Sequence, residues 1–240
     1  MLLGFVDETS DVKYKDYLGL CLATINATHY RGIKETFQQL LLESGWMPDV
    51  EFKGSYVFSG SKGCTDVPVD RRVETASRIL DLTASEKNAR IKFHYLRAKT
   101  KDPRETYLTY LPPLLKRALP KAAKKSGKDL IALHCDRRDD LRPDEIREAV
   151  LPALRDRGYT LMENVIFANS GFHTIGILYA DLVCYLMGRI DTISADSELF
   201  DNITQEDFEK HGKLKKLRSS TQLISKVKRI ENYVVKVEDT

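Results

Sequence analysis

Cysteine is scarce. The 240-residue sequence has four, Cys21, Cys64, Cys135 and Cys184, and no two form a Cys-x-x-Cys pair. That spacing argues against a zinc knuckle. Cys21, Cys135 and Cys184 each sit in an apolar run and are expected to be free, buried thiols. Long hydrophobic runs are also missing. The longest, Thr174 to Met187, carries Asp181 in its middle and falls short of the about 20 residues needed to span a bilayer. Charge of one sign is not in excess: 38 Lys and Arg stand against 35 Asp and Glu, a formal +3. This excludes a histone-like or strongly acidic protein and restricts any nucleic-acid contact to a local face. There is no internal repeat, low-complexity tract or aromatic-interleaved RNA-binding signature. The opening Met1 to Val6 lacks a basic start and turns acidic at Asp7-Glu8, so no secretory leader is expected. A reduced, cytoplasmic protein is the expectation.

Hydrophobic residues make up 42% and charged residues 30%, enough apolar material for a buried core. Apolar runs predict strands over 2–7, 17–24 and 129–135, and alternation predicts further strands over 49–58, 89–96 and 161–168. The segment 49–58 carries a break at Gly54. Helical periodicity covers 28–44, 69–82, 144–157 and 174–190, with Gly45 placed to end the first. The pattern over 106–125 contains Pro112-Pro113 and reads as a short helix followed by a longer one. Pro152 is expected to kink the helix over 144–157. Strands alternating with helices predict an α/β sheet with helices on its faces. We assign residues 1–195 to one domain and 196–240 to a charged helical appendage, where Leu223, Val227 and Ile230 form a stripe that packs back or makes a homodimer.

The carboxylates are more informative than the composition. On a helix, the neighbours of Asp181 three and four residues away are Ile177, Leu178, Cys184 and Tyr185. A carboxylate among apolar groups requires a donor, a cation or a metal, and either a structural ion pair or a functional site meets that need. Asp7 ends the first apolar strand and Asp136 follows another. Such positions face the carboxyl edge of a sheet, where α/β proteins hold their sites, although each alone also suits a turn. A set of carboxylates without His or Cys spacing favours Mg²⁺ or Mn²⁺ and phosphate chemistry.

Four short segments carry a family resemblance. Phe5-Val6-Asp7-Glu8-Thr9-Ser10 resembles the Asp-Glu-Ser-Gly opening of domain-of-unknown-function family 3800. Glu51-Phe52-Lys53-Gly54-Ser55 is similar to its Glu-x-Lys-Gly/Ala-Ser element, and Asp136-Arg137-Arg138-Asp139 to its Asp-containing segment after a central strand. Ser170, followed by Gly176-Ile177-Leu178-Tyr179-Ala180-Asp181-Leu182-Val183-Cys184-Tyr185, resembles its closing element. The likeness covers about residues 2–190. Thr9-Ser10 replaces the family's Ser-Gly, and Leu178 stands where the family has Gln.

The resemblance implies a ribonuclease H-like mixed sheet flanked by helices. It also implies a site in which Asp7, Glu51, Asp136 and Asp181 hold Mg²⁺ or Mn²⁺ for phosphodiester hydrolysis of RNA or DNA. Lys53, Ser55 and Ser170 are then candidates for substrate contact, and Glu8 and Asp139 for supporting roles. Basic stretches at Lys116, Arg117, Lys121, Lys124, Lys125 and Lys128, and from Lys213 to Arg229, suit phosphate, though a lysine-rich helix is more often a solvated face. The alternative, motivated by Ser10 and Leu178, is a non-catalytic module on the same scaffold that binds nucleic acid or a protein partner in mobile-element or phage-conflict functions.

Overall fold

A computed structural model describes residues 1–10, 17–48, 50, 52–57, 67–82, 91–122, 129–169 and 171–195. Glu51, Ser170 and Cys64 lie outside the described residues, as do the segment 196–240 and its Leu223, Val227 and Ile230 stripe.

Among the described residues six strands form one mixed sheet: β1 (Leu2–Ser10), β2 (Tyr17–Asn26), β3 (Ile91–Lys99), β4 (Asp129–Asp136), β5 (Tyr159–Leu161) and β6 (Ile166–Ala168). The order is β3-β2-β1-β4-β5, with β6 also on β4. The first three strands are mutually antiparallel, whereas β4 runs parallel to β1 and both short strands run parallel to β4. Helices cover both faces. Phe5, Ala23, Phe93 and Tyr95 point to the side of α1 (Ala27–Glu43), α2 (Val69–Asp81) and α5 (Ile175–Ala195). Val6, Leu20, Leu96 and Leu133 point to the side of α3 (Pro103–Ala118) and α4 (Pro143–Arg157). This α/β mixed sheet flanked by helices has the architecture expected from the sequence. Among the described residues no helix is long and apolar enough to cross a membrane, and Cys21, Cys135 and Cys184 are buried and free.

The alternation of one strand separates the two cores. Phe5 and Asp7 face α5, while Val6 and Glu8 face α3 and α4. Helix α5 lies close along β1 because two of its residues have no side chain. A Cβ on Gly176 would come within 2.4 Å of the Phe5 ring, and one on Gly188 within 3.0 Å of Thr9. Asp181 lies between these two contacts.

Four expectations from the sequence are corrected. The first strand, expected over 2–7, continues to Ser10 through its pairing with β2, so Asp7 lies inside it rather than at its end. Helix α3 is continuous through Pro112 and Pro113. Its inner face buries Tyr107, Leu111, Leu114 and Leu115, and this packing outweighs the backbone bonds the prolines cannot make. The expected strand over 161–168 is two short strands, because Asn164 turns the chain between them. Its Oδ1 accepts from the Val165 N–H at 2.8 Å, while the Met162 N–H donates to the Ile131 carbonyl. The expected strand around Gly54 is instead a 3-10 turn, Gly54–Val57, for a reason that belongs to the acidic site. Pro152 lies inside α4, which runs unbroken to Gly158.

Gly158 ends α4 with φ +80°, in the left-handed region, and a Cβ there would meet Ala122 at 2.9 Å. Gly158→Ala is expected to cost about 1–2 kcal/mol, read as a lower melting temperature with the α-helical signal retained.

Candidate acidic site at the carboxyl edge of the sheet

Parallel pairing brings two acids together. Val6 lies opposite Cys135 in the β1–β4 register, so the next residues, Asp7 and Asp136, fall side by side on the α5 face. Asp136 ends β4 whereas Asp7 lies inside β1, and only the register makes them neighbours. Asp181 arrives from above on α5, and its charge is among those that raise the Asp7 pKa. Segments distant in the chain thus converge on one edge.

Asp7 is buried, with 4% of its surface exposed. Burial pushes its carboxyl well above the usual range, and repulsion from Asp181, Glu8 and Asp136 adds to the shift. One hydrogen bond opposes this, from the Glu8 backbone N–H to Asp7 Oδ1 at 2.8 Å. Burial also raises Asp181, to about 6, against the pull of the Gly54 N–H, the Lys53 charge and a hydrogen bond with Asp7. Carboxyls coupled in this way share their protons rather than titrating singly.

The 3-10 turn is what holds Asp181. The Gly54 N–H donates to Asp181 Oδ2 at 2.5 Å. Phe52, just before the turn, is buried against Trp46 with ring centroids 4.7 Å apart. From the other side, buried Arg72 donates Nη1 to the Tyr56 carbonyl at 2.7 Å. A strand would direct the Gly54 N–H along a ladder; the turn leaves it available to a side chain. Lys53 is close enough to Asp181 to lower its pKa. Ser55 follows in the same turn, half-buried.

The predicted supporting residues separate. Glu8 projects to the opposite sheet face, where Arg138 Nη1 donates to its Oε1 at 2.8 Å. Its Oε2 is buried without a hydrogen-bond partner, and burial raises its pKa to about 7. Asp139 is not brought into the cluster. Its side chain is 97% exposed and approaches Arg137 at 3.7 Å; its neighbour Asp140 engages Arg138 instead. The family motifs include Gly54 and Arg138, but sequence reasoning gives neither a role at the site.

The donor chemistry suits a hard divalent cation: the groups are carboxylate oxygens, and a cation among them would relieve the mutual repulsion that adds to burial in raising Asp7. Among the described residues no group of three or more His, Cys, Asp or Glu side chains is placed to hold a metal ion. One Asp181 oxygen is engaged by Gly54, and Glu51 lies outside the described residues.

The raised acids give stability a definite pH dependence. A carboxyl with a folded pKa above its unfolded value holds its proton more tightly in the folded state, so its contribution is complete below the unfolded pKa and is lost as pH rises. For Asp181 the window runs from 3.8 to about 6, and for Glu8 from 4.5 to about 7. In metal-free buffer the melting temperature should therefore receive a falling contribution from these acids between about pH 4 and pH 7. Asp7→Asn should melt higher than the unaltered protein at pH 7 and lose that advantage at pH 4. Parallel curves across the range would contradict it.

The class defined so far is a mixed α/β sheet with an acidic cluster at its carboxyl edge. No protein-family model and no curated protein matches the sequence. Among solved structures, the chain is similar to ribonuclease H2 from Pyrococcus horikoshii OT3, with a TM-score of 0.47 and 12% identity over 83% of this chain and 77% of that one. It is also similar to the ribonuclease HII of Archaeoglobus fulgidus in its complex with PCNA, with a TM-score of 0.45 and 11% identity over 100% of this chain and 98% of that one. The fold class stands on the strand order and directions above, independently of these likenesses.

Proposed function

We propose that the protein is a divalent-metal-dependent nuclease related to domain-of-unknown-function family 3800. The observation that carries this reading is the convergence of Asp7, Asp136 and Asp181 at one sheet edge, close enough for repulsion to add to burial in raising Asp7. Carboxylates kept this close incur an electrostatic cost, which a bound cation removes. Asp7, Asp136 and Asp181, with Glu51, are the residues that would hold Mg²⁺ or Mn²⁺. Bound there, the ion would supply positive charge to a phosphodiester and lower the pKa of an attacking water. Lys53, already beside Asp181, is assigned to a phosphate oxygen. The Gly54 N–H holds Asp181 in one orientation throughout, so the acid need not reorganise when substrate arrives.

The direct test is cleavage of labelled single-stranded RNA, single-stranded DNA, duplexes and hybrids with Mn²⁺ or Mg²⁺, with and without chelator. Metal-dependent cleavage of at least one substrate supports the nuclease. Binding of nucleic acid with no cleavage and no metal response would leave the non-catalytic scaffold as the correct reading.

A further inference from the structure

Arg138 does more than neutralise nearby acids. Its side chain is only 9% exposed, and it makes directed contacts with three parts of the fold. Nη1 donates to Glu8 on β1 at 2.8 Å. Nε and Nη2 donate to the two oxygens of Asp140 at 3.0 and 2.7 Å, a bidentate pair across the turn that follows β4. The guanidinium also lies over the Tyr107 ring of α3, 5.0 Å from its centroid. Glu8 is the residue after Asp7, and Arg138 is two residues after Asp136. This one side chain therefore links the end of β4 to the stretch of β1 that carries Asp7, from the sheet face opposite the site.

We infer that Arg138 is a positioning residue that fixes the end of β4 against β1 at Glu8 and thereby holds Asp136 beside Asp7. The inference rests on the nuclease reading for its consequence at the metal, but the brace itself is a property of the apo protein. Asp7 and Asp136 repel each other, and the β1–β4 ladder extends only to Val6 and Cys135. Past that pair Asp7 stays paired to Cys21 of β2 and Asp136 to Ala168 of β6, but no ladder contact joins β1 directly to β4 against the repulsion. The planar fork of Arg138 does so because it engages Glu8 and Asp140 at the same time. A lysine carries the same charge but cannot reproduce a bidentate pair together with a second, separately directed bond.

The test uses the full chain with three variants: Arg138→Gln, Arg138→Lys and the double variant Glu8→Gln/Arg138→Gln. The double variant removes the carboxylate that the single change would leave buried and unpaired, so it keeps the question answerable if R138Q does not fold. Amide hydrogen exchange without metal is measured first. Faster exchange confined to 136–141, with β2 and β3 unchanged, is expected in the folded variants. Thermal melts are then titrated with Mn²⁺ alone. The half-saturating Mn²⁺ concentration is expected to rise about 10–100-fold, the usual scale for losing a residue that orients a metal ligand, with no rescue by Arg138→Lys. A folded variant with unaltered exchange and an unaltered Mn²⁺ midpoint overturns the inference, as does full rescue by lysine. If the unaltered protein shows no Mn²⁺ response, the nuclease reading fails instead; local exchange then decides the brace, supporting it if faster at 136–141 and overturning it if not.

Discussion

Asp181→Asn is expected to reduce metal-dependent cleavage by at least about 10²-fold, the scale on which one preorganised electrostatic group contributes, while leaving the chain folded. Asparagine has nearly the shape of aspartate, and its amide oxygen can still accept the Gly54 N–H that now reaches Oδ2. What disappears is the charge. In metal-free buffer at pH 7 the variant should melt at a higher temperature, because Asp181 no longer repels Asp7. Added Mn²⁺ should stabilise it less than the unaltered protein. Opposite movements of activity and stability distinguish a functional carboxylate from a structural ion pair, whose loss would lower both. Cleavage at the unaltered rate would remove Asp181 from the site.

Gly54→Ala is expected to have the second-largest effect, through the backbone. A Cβ at this position would lie 2.7 Å from Tyr185 Cβ and 3.1 Å from the Asp181 carbonyl oxygen and the Leu182 Cα. Two of these atoms belong to the α5 backbone and cannot turn aside, so the 3-10 turn must retreat. The cost is expected to be about 1–3 kcal/mol, as for other overpacked sites, and a melt measures it. Retreat also withdraws the N–H that pulls the Asp181 pKa down. The acid limb of the pH–activity profile should therefore move to higher pH, in addition to a loss of rate. A variant that is merely less stable, with its profile unmoved, would show that Gly54 packs but does not position.

Much of this arrangement was legible in the sequence. The strands over β1 and β4, the apolar α5 with one acid, and the placement of Asp136 at a strand end all follow from periodicity within short windows, whereas the extension of β1 past Asp7 to Ser10 does not. Misread features depend on contacts between windows. Pro112 and Pro113 are helix breakers locally and are tolerated because Leu111, Leu114 and Leu115 are buried beneath the sheet. The run around Gly54 alternates like a strand, yet its conformation is set by the close approach of α5. Asp139 and Asp140 are indistinguishable by type; only the turn decides that Asp140 meets Arg138 while Asp139 points into solvent. Register, close approach and pairing are long-range properties, and no local pattern encodes them.

The route of the chain has a consequence for when the site can exist. Asp7 lies on the first strand, Asp136 on the fourth, and Asp181 on α5, the last of the described elements. Antiparallel β1 and β2 can pair early, since few residues separate them, whereas parallel β4 must close a much longer loop before it joins β1. Only after α5 docks through Gly176 and Gly188 does the third acid reach the other two. On the ribosome, a nascent chain that already displays β1 and β2 therefore has no assembled acidic cluster. The acidic cluster is absent until synthesis has passed α5, so docking of that helix sets the earliest moment at which the three acids can act together.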